Sequence, residues 1–199
     1  MARPMIAGGF AQAGQRKPTG DHGAWIPLKA ALAQVLLENA WRETLYSGQP
    51  LKPWPWADTW PVARLSVPAR GKSMVVLAGA SGAALAFGPA HLRASAPPGS
   101  ADNSVIVGHR DTHFAFLEQI KIGEKLQLES ADGAIHHYQV SDARVLHETD
   151  TDVLVATTSP LLTLITCYPF DALVPGGPLR YVVQAQGIAI HNPALDKKT

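Results

Sequence analysis

The chain holds one cysteine among its 199 residues, Cys167. A single thiol closes no intramolecular disulfide and completes no cysteine-only zinc site, so Cys167 is either a small buried hydrophobe or a reactive group. An unperturbed thiol, with a pKa of about 8.5, is only a few per cent thiolate at neutral pH, and a nucleophilic role therefore demands a basic or cationic neighbour. Two such residues stand out. His109 ends the strand-like run Ser104-Val105-Ile106-Val107-Gly108, and Arg180 opens another after the Gly176-Gly177-Pro178 turn. Cys167 itself ends the run Leu161-Leu162-Thr163-Leu164-Ile165-Thr166, which Tyr168-Pro169 stops because proline cannot donate to a ladder. Three polar residues at the ends of three strands can converge on one barrel mouth, with the strands supplying rigidity. Each also has a plainer reading: an inert buried thiol, a turn histidine and a surface charge.

The elements that must position them are short. From Val62 onward β-branched runs alternate with Gly, Pro, Asp and Ser, predicting strands at 63–67, 74–78, 104–108, 125–129, 135–145, 161–166 and 180–185. So many strands with so little helix argue for a closed β-barrel or sandwich over a doubly wound α/β sheet. Segments 83–87 and 113–120 read as short helical turns, the second opened by Asp111 or Thr112 as N-cap. Ahead of them, Pro27 suits the first turn of an amphipathic helix running to Ser47, with Leu28, Leu32, Val35, Leu36 and Leu45 near a 3.6-residue period. Ser47-Gly48 and Pro50 supply its stop. A stiff connector follows, in which Pro50, Pro53, Pro55 and Pro61 interleave with Trp54, Trp56 and Trp60, and the rings are expected on a surface groove. The chain divides accordingly into a tail (1–23), the helix and Trp/Pro connector (24–61), a catalytic β-barrel (62–190) and a C-terminal tail (191–199).

Composition narrows the partners. Seventeen Lys and Arg against sixteen Asp and Glu leave a net charge of +1, with no extended basic run, so nucleic acid is excluded as the expected partner. Hydrophobic residues reach 46% and charged ones only 17%, which excludes a largely disordered chain. No uninterrupted apolar stretch is long enough to span a bilayer.

The run Thr163-Leu164-Ile165-Thr166-Cys167 resembles the Thr-Leu-x-Thr-Cys signature of the sortases, the cysteine transpeptidases that attach proteins to cell envelopes. His109, Cys167 and Arg180 follow that family's chain order and approximate spacing. The resemblance extends through Gly108-His109-Arg110-Asp111, Cys167-Tyr168-Pro169-Phe170 and Pro175-Gly176-Gly177-Pro178-Leu179-Arg180. Gln49-Pro50-Leu51-Lys52-Pro53-Trp54-Pro55-Trp56 and Leu77-Ala78-Gly79-Ala80-Ser81-Gly82 are similar to the proteobacterial branch. It implies a mainly β fold, a closed eight-stranded barrel, so that one short strand is missing from the seven above. It also implies an activity. Cys167 attacks the carbonyl of a C-terminal sorting signal, a Leu-Pro-x-Thr-Gly-like peptide, and forms a thioacyl intermediate. His109 protonates the leaving amine and deprotonates the incoming one, and Arg180 binds the peptide and stabilises the oxyanion. Thr166 carries over as a substrate-positioning residue. The acceptor is an amine on the cell envelope, the implied location is the periplasmic side of the inner membrane with a membrane tether outside this sequence, and the chemistry needs no metal or cofactor.

Other polar residues receive plainer expectations. Asp111 reads as a helix cap or turn former, or otherwise a modulator of His109, and His113 as the first residue of a short helix. His136 and His137, neighbours on a strand, point to opposite faces and are poorly placed to chelate one ion. His147, Glu148, Asp150 and Asp152 make an oxygen-rich loop without the fixed ligand spacing of an EF-hand, though some sortases use calcium. Two further readings stay open: a cysteine hydrolase with water as acceptor, and a non-catalytic peptide-binding barrel that keeps Cys167 buried. The Ser-x-Gly-Cys-x-Arg pattern of the L,D-transpeptidases fails, because Pro169 stands where arginine is required.

Overall fold

The computed structural model describes residues 22–172 and 176–189; the tail expected at 191–199 lies outside them, as does that at 1–23 apart from residues 22 and 23, which open a helix. Eight strands close a barrel: β1 (Pro61–Val67), β2 (Lys72–Ala78), β3 (Ala90–His91), β4 (Asn103–Val107), β5 (Lys125–Ser130), β6 (Ile135–His147), β7 (Leu161–Tyr168) and β8 (Leu179–Gly187), in the spatial order β1-β2-β3-β4-β7-β8-β6-β5. The missing strand is β3, only two residues long, paired parallel to β2 and antiparallel to β4. Its Ala90-His91 has neither β-branching nor alternation, so no sequence pattern marked it.

Alternation fills the barrel. In β1 every second residue is buried, and Ala63, Leu65 and Val67 meet Val76, Ile106, Leu126, Leu128, Tyr138, Leu162, Leu164 and Val183 in one core. Phe114 and Leu117, from the turn after β4 and the 3-10 helix Ala115–Gln119, plug the same core. β2 is buried on both faces. Val76 points into the barrel, whereas Val75 and Leu77 join Leu37, Trp41, Ala84 and Ala90 in a second cluster on its outer side.

That outer cluster seats the N-terminal helix, α1 (His22–Ser47). The helix starts five residues before Pro27, which lies inside it. Its buried stripe is Ala33, Leu37, Ala40, Trp41 and Thr44, while Leu32 and Val35 are more than half exposed. The expected leucine stripe is thus rotated. Small alanines let the backbone approach the sheet, and Trp41 supplies the bulk, its indole N–H donating to Glu129 at 3.2 Å. That bond ties α1 to β5, and a fork from Arg64 to Glu38 ties it to β1. A short helix, α2 (Gly82–Leu85), is capped by Ser81, whose hydroxyl accepts from the Ala84 N–H. In the connector Trp54 packs edge-on against Phe87 and Trp60 lies under Arg93, whereas Trp56 stands 82% exposed, so two of the three rings find the expected surface. Among the described residues no helix is long and apolar enough to cross a membrane.

Two stability outcomes follow from these ties. Trp41→Ala removes a fully buried ring and is expected to cost about 3–5 kcal/mol, read as a lower denaturation midpoint in urea. Arg70 grips Glu124 with two bonds of 2.6 and 2.9 Å, and this fork holds the Glu124 carboxyl below its ordinary range against the opposing effect of burial. Its contribution is therefore complete above a pH of about 4.5 and disappears as the pH falls through the lowered folded-state value. Glu124→Gln should flatten that acid-side loss, and identical midpoint-against-pH curves for the two proteins would refute the assignment.

Candidate active site

β7 lies between a parallel neighbour, β4, and an antiparallel one, β8. Residues in register across the three strands share a face, and successive residues alternate faces. Leu162 and Leu164 point into the core, so Thr163, Ile165 and Cys167 point outward. In β8 their partners are Gln184, Val182 and Arg180; in β4, Val105 pairs with Thr163 and Val107 with Ile165. The ladder then runs past the end of β4, because the Gly108 N–H donates to the Ile165 carbonyl at 3.1 Å. His109 follows at once. The structure thus brings the three residues expected from the sequence to neighbouring strand ends, with Cys167 directly opposite Arg180.

Cys167 is a free, partly exposed thiol, and His109 is exposed. The Arg180 guanidinium is held firmly: Nη1 donates to the carbonyls of Gly177 and Leu179 at 2.6 and 2.9 Å, and Nη2 to Glu148 at 2.5 Å. Glu148 lies just beyond β6 and was read in the sequence only as part of an oxygen-rich loop. Here it orients the arginine. Asp150 of the same loop accepts from the His147 N–H, and among the described residues no group of three His, Cys, Asp or Glu could hold a metal ion.

Thr166 is turned away from the Cys167 face: it is buried, and its hydroxyl donates to the Gly108 carbonyl at 2.7 Å, so it ties the strand end that carries His109 to β7. Two expectations are corrected. Asp111 and Thr112 do not cap the following helix, which starts at Ala115 with Phe114 at the N-cap and no side-chain capping bond, but Asp111 does lie in the turn that precedes it. His113 precedes that helix. Burial, and then the charge of His109, hold its pKa below the ordinary histidine value, while Asp111 pushes the other way. Gly108 is required for space: a Cβ there would lie 2.9 Å from the buried Phe114 ring.

Sequence reading missed the trough beside the trio. A pocket of about 190 Å³ lies on the outer face, floored by Val107, Ile165 and Val182, walled by Leu92, Leu146, Val153 and Leu154, and bounded by Arg180. Its lining is mainly apolar, with Arg180 and the polar residues His147, Glu148, Asp150 and Thr151 completing it. Beyond the trio, Tyr168, Phe170 and Tyr181 pack on one another, their ring centroids 5.3–6.3 Å apart.

An eight-stranded barrel with Cys, His and Arg on three adjoining strand ends defines a class of cysteine enzyme scaffold, and the comparisons identify it. The sortase-domain family model matches residues 65–188. The chain belongs to the sortase family. Sortase D of Bacillus subtilis (strain 168) is 26% identical over 125 residues, a match spanning 62% of this chain and 62% of that relative's length. Among solved structures, a Clostridium perfringens Sortase D5 transpeptidase superposes with a TM-score of 0.64 at 21% identity, covering 80% of this chain and 99% of its own. Sortase C-1 from Actinomyces oris gives 0.59 at 26% identity, covering 82% of this chain and 100% of its own. Sortase A from Corynebacterium diphtheriae gives 0.61 at 24% identity, with 83% and 88% covered.

The Thr166 assignment has a direct check. Thr166→Val keeps the shape and deletes one buried hydrogen bond, so stability should fall by about 1 kcal/mol. Alkylation of Cys167 by iodoacetamide should proceed at the parental rate, since the outward face is untouched.

Proposed function

We propose that this chain is a sortase transpeptidase acting on a C-terminal sorting signal. The observation that supports the reading is the register of β4, β7 and β8, which brings His109, Cys167 and Arg180 to neighbouring strand ends on the outer face; on this reading they serve as acid–base group, nucleophile and permanent cation. In the proposed reaction the Cys167 thiol passes its proton to His109 and its sulfur bonds to the carbonyl carbon of the scissile peptide bond. Negative charge then builds on the carbonyl oxygen, where the anchored Arg180 fork stabilises it. Collapse of this intermediate breaks the C–N bond, His109 donates a proton to the departing amine, and a thioester remains on Cys167. An envelope amine enters, gives its proton to His109 and displaces the thiolate. The acyl group leaves on the new amide.

The apolar trough supports a peptide substrate with an aliphatic side chain a few residues before the scissile bond, as in a Leu-Pro-x-Thr-Gly-like signal. The Pro/Trp-rich connector and the Leu77–Gly82 segment support the proteobacterial branch, and with it a placement on the periplasmic side of the inner membrane. A membrane tether is then expected outside this sequence.

Cys167→Ala should abolish both cleavage of a sorting peptide and the peptide adduct detected by mass spectrometry; turnover surviving this change would overturn the proposal. Arg180→Lys replaces a fork with a point charge and should lower kcat/KM by about 100-fold, the scale of a lost oxyanion donor. Product analysis with and without an added amine separates transfer from hydrolysis: a transpeptidase gives the amide when amine is present, a hydrolase the free acid in both.

A further inference from the structure

One wall of the trough is a loop, and the structure shows what holds it. Residues 148–160 link β6 to β7, and their 3-10 helix, Asp152–Leu154, places Val153 and Leu154 over the floor of Val107, Ile165 and Val182. Such a connection has no ladder of its own to fix it. Its backbone is instead bonded to the first residues of β4. The buried side chain of Asn103 donates through Nδ2 to the carbonyls of Val153 at 2.8 Å and Val155 at 3.2 Å, while its Oδ1 accepts from the Thr163 hydroxyl at 2.7 Å. The carboxylate of Asp102 accepts the N–H of Thr157 and that of Asn103, both at 2.6 Å. The Asp102 carbonyl also takes the N–H of Leu161, where β7 begins. Val153 itself is only 5% exposed, pressed down by these bonds.

We propose that Asp102 and Asn103 are positioning residues, a two-residue clamp that holds the 153–157 segment as the wall of the peptide trough and so sets the register of the substrate against Cys167. This rests on the sortase reading only for the identity of the substrate. Polarity supports it. Each amide hydrogen of Asn103 meets a loop carbonyl and its oxygen meets a hydroxyl, so the amide is satisfied within the clamp rather than by water. The two N–H bonds, that of Thr157 first, hold the Asp102 carboxyl below its usual range, which keeps it charged and accepting. The clamp is also local. Neither residue contacts the reacting groups, so its loss should weaken peptide binding and leave the thiol unchanged.

The test compares wild type, Asn103→Asp and Asp102→Ala. Asn103→Asp keeps the shape but turns an oxygen toward the Val153 and Val155 carbonyls; Asp102→Ala frees the Thr157 N–H from a half-exposed position and carries the test should the buried variant fail to fold. In both, hydrogen exchange across residues 153–157 should accelerate by about 10-fold or more, as expected when local opening loses one or two hydrogen bonds. KM for a sorting peptide should rise by about 10-fold with kcat within about threefold, the pattern of lost binding common to ground and transition states. Alkylation of Cys167 by iodoacetamide should match wild type. Unchanged exchange in the segment would overturn the clamp, and faster exchange with unchanged KM would overturn its role in positioning. A wild-type chain that turns over no sorting peptide would count against the sortase reading, and the exchange experiment would then decide the clamp by itself.

Discussion

The structure depends on one strand having two unlike neighbours. β7 pairs in parallel with β4 and antiparallel with β8, so the outer face of the three strands is organised in rows that cross them. At one end Val105, Thr163 and Gln184 stand in register, and Asn103, two residues before Val105, accepts from the Thr163 hydroxyl beneath the 148–160 connection. Val107, Ile165 and Val182 follow as an apolar row, and then His109, Cys167 and Arg180. A shift of one residue in either pairing would send a row into the core and leave leucines facing water. The inward set, with Leu162, Leu164, Ile106 and Val183 buried, therefore fixes the outward set. Core packing and site geometry are the same constraint seen from two sides.

The barrel's outer surface is also partitioned. α1 covers the β2–β3 side through Leu37 and Trp41, and the 148–160 connection lies over Asn103 and the apolar row, while His109 is exposed and Cys167 partly so. The near-zero net charge is consistent with this arrangement. A short peptide gripped by an apolar wall and one arginine needs no long-range field, in contrast to a nucleic acid.

Much of this was legible in the sequence because it rests on side-chain pattern. Seven strands were marked by β-branched alternation, and the trio by polar residues at the ends of such runs. The failures have physical causes. β3 is held by its neighbours' hydrogen bonds rather than its own propensity. The seat of α1 is made by Ala33, Ala40 and Trp41, and alanine carries little weight in a hydrophobic pattern although close backbone approach requires it. Thr166 is given a substrate role only by the family resemblance, whereas strand alternation turns it away from Cys167, and its hydroxyl bonds the Gly108 carbonyl. The 148–160 connection looked like an oxygen-rich loop because carboxylates stand out in a sequence. Its attachments run through the backbone carbonyls of Val153 and Val155 and the N–H of Thr157, which no sequence displays.

The Arg180–Glu148 pair raises the question of why a cation meant for a substrate should already hold a carboxylate. Donor number answers it. A guanidinium offers five N–H groups in a fixed plane, and the bonds to Gly177, Leu179 and Glu148 use three of them. Two donors therefore stay available for a carbonyl oxygen while the plane itself is locked by the others. Locking matters because a flexible cation would have to be ordered at the moment charge develops, and that reorganisation would cancel much of the electrostatic gain. Glu148 also lowers the local positive potential, but it is half exposed and its charge is well screened, so the loss is small beside the benefit of orientation. On the proposed chemistry, the carboxylate aims the arginine and the backbone carbonyls hold it, which leaves the free edge of the fork to meet the oxyanion.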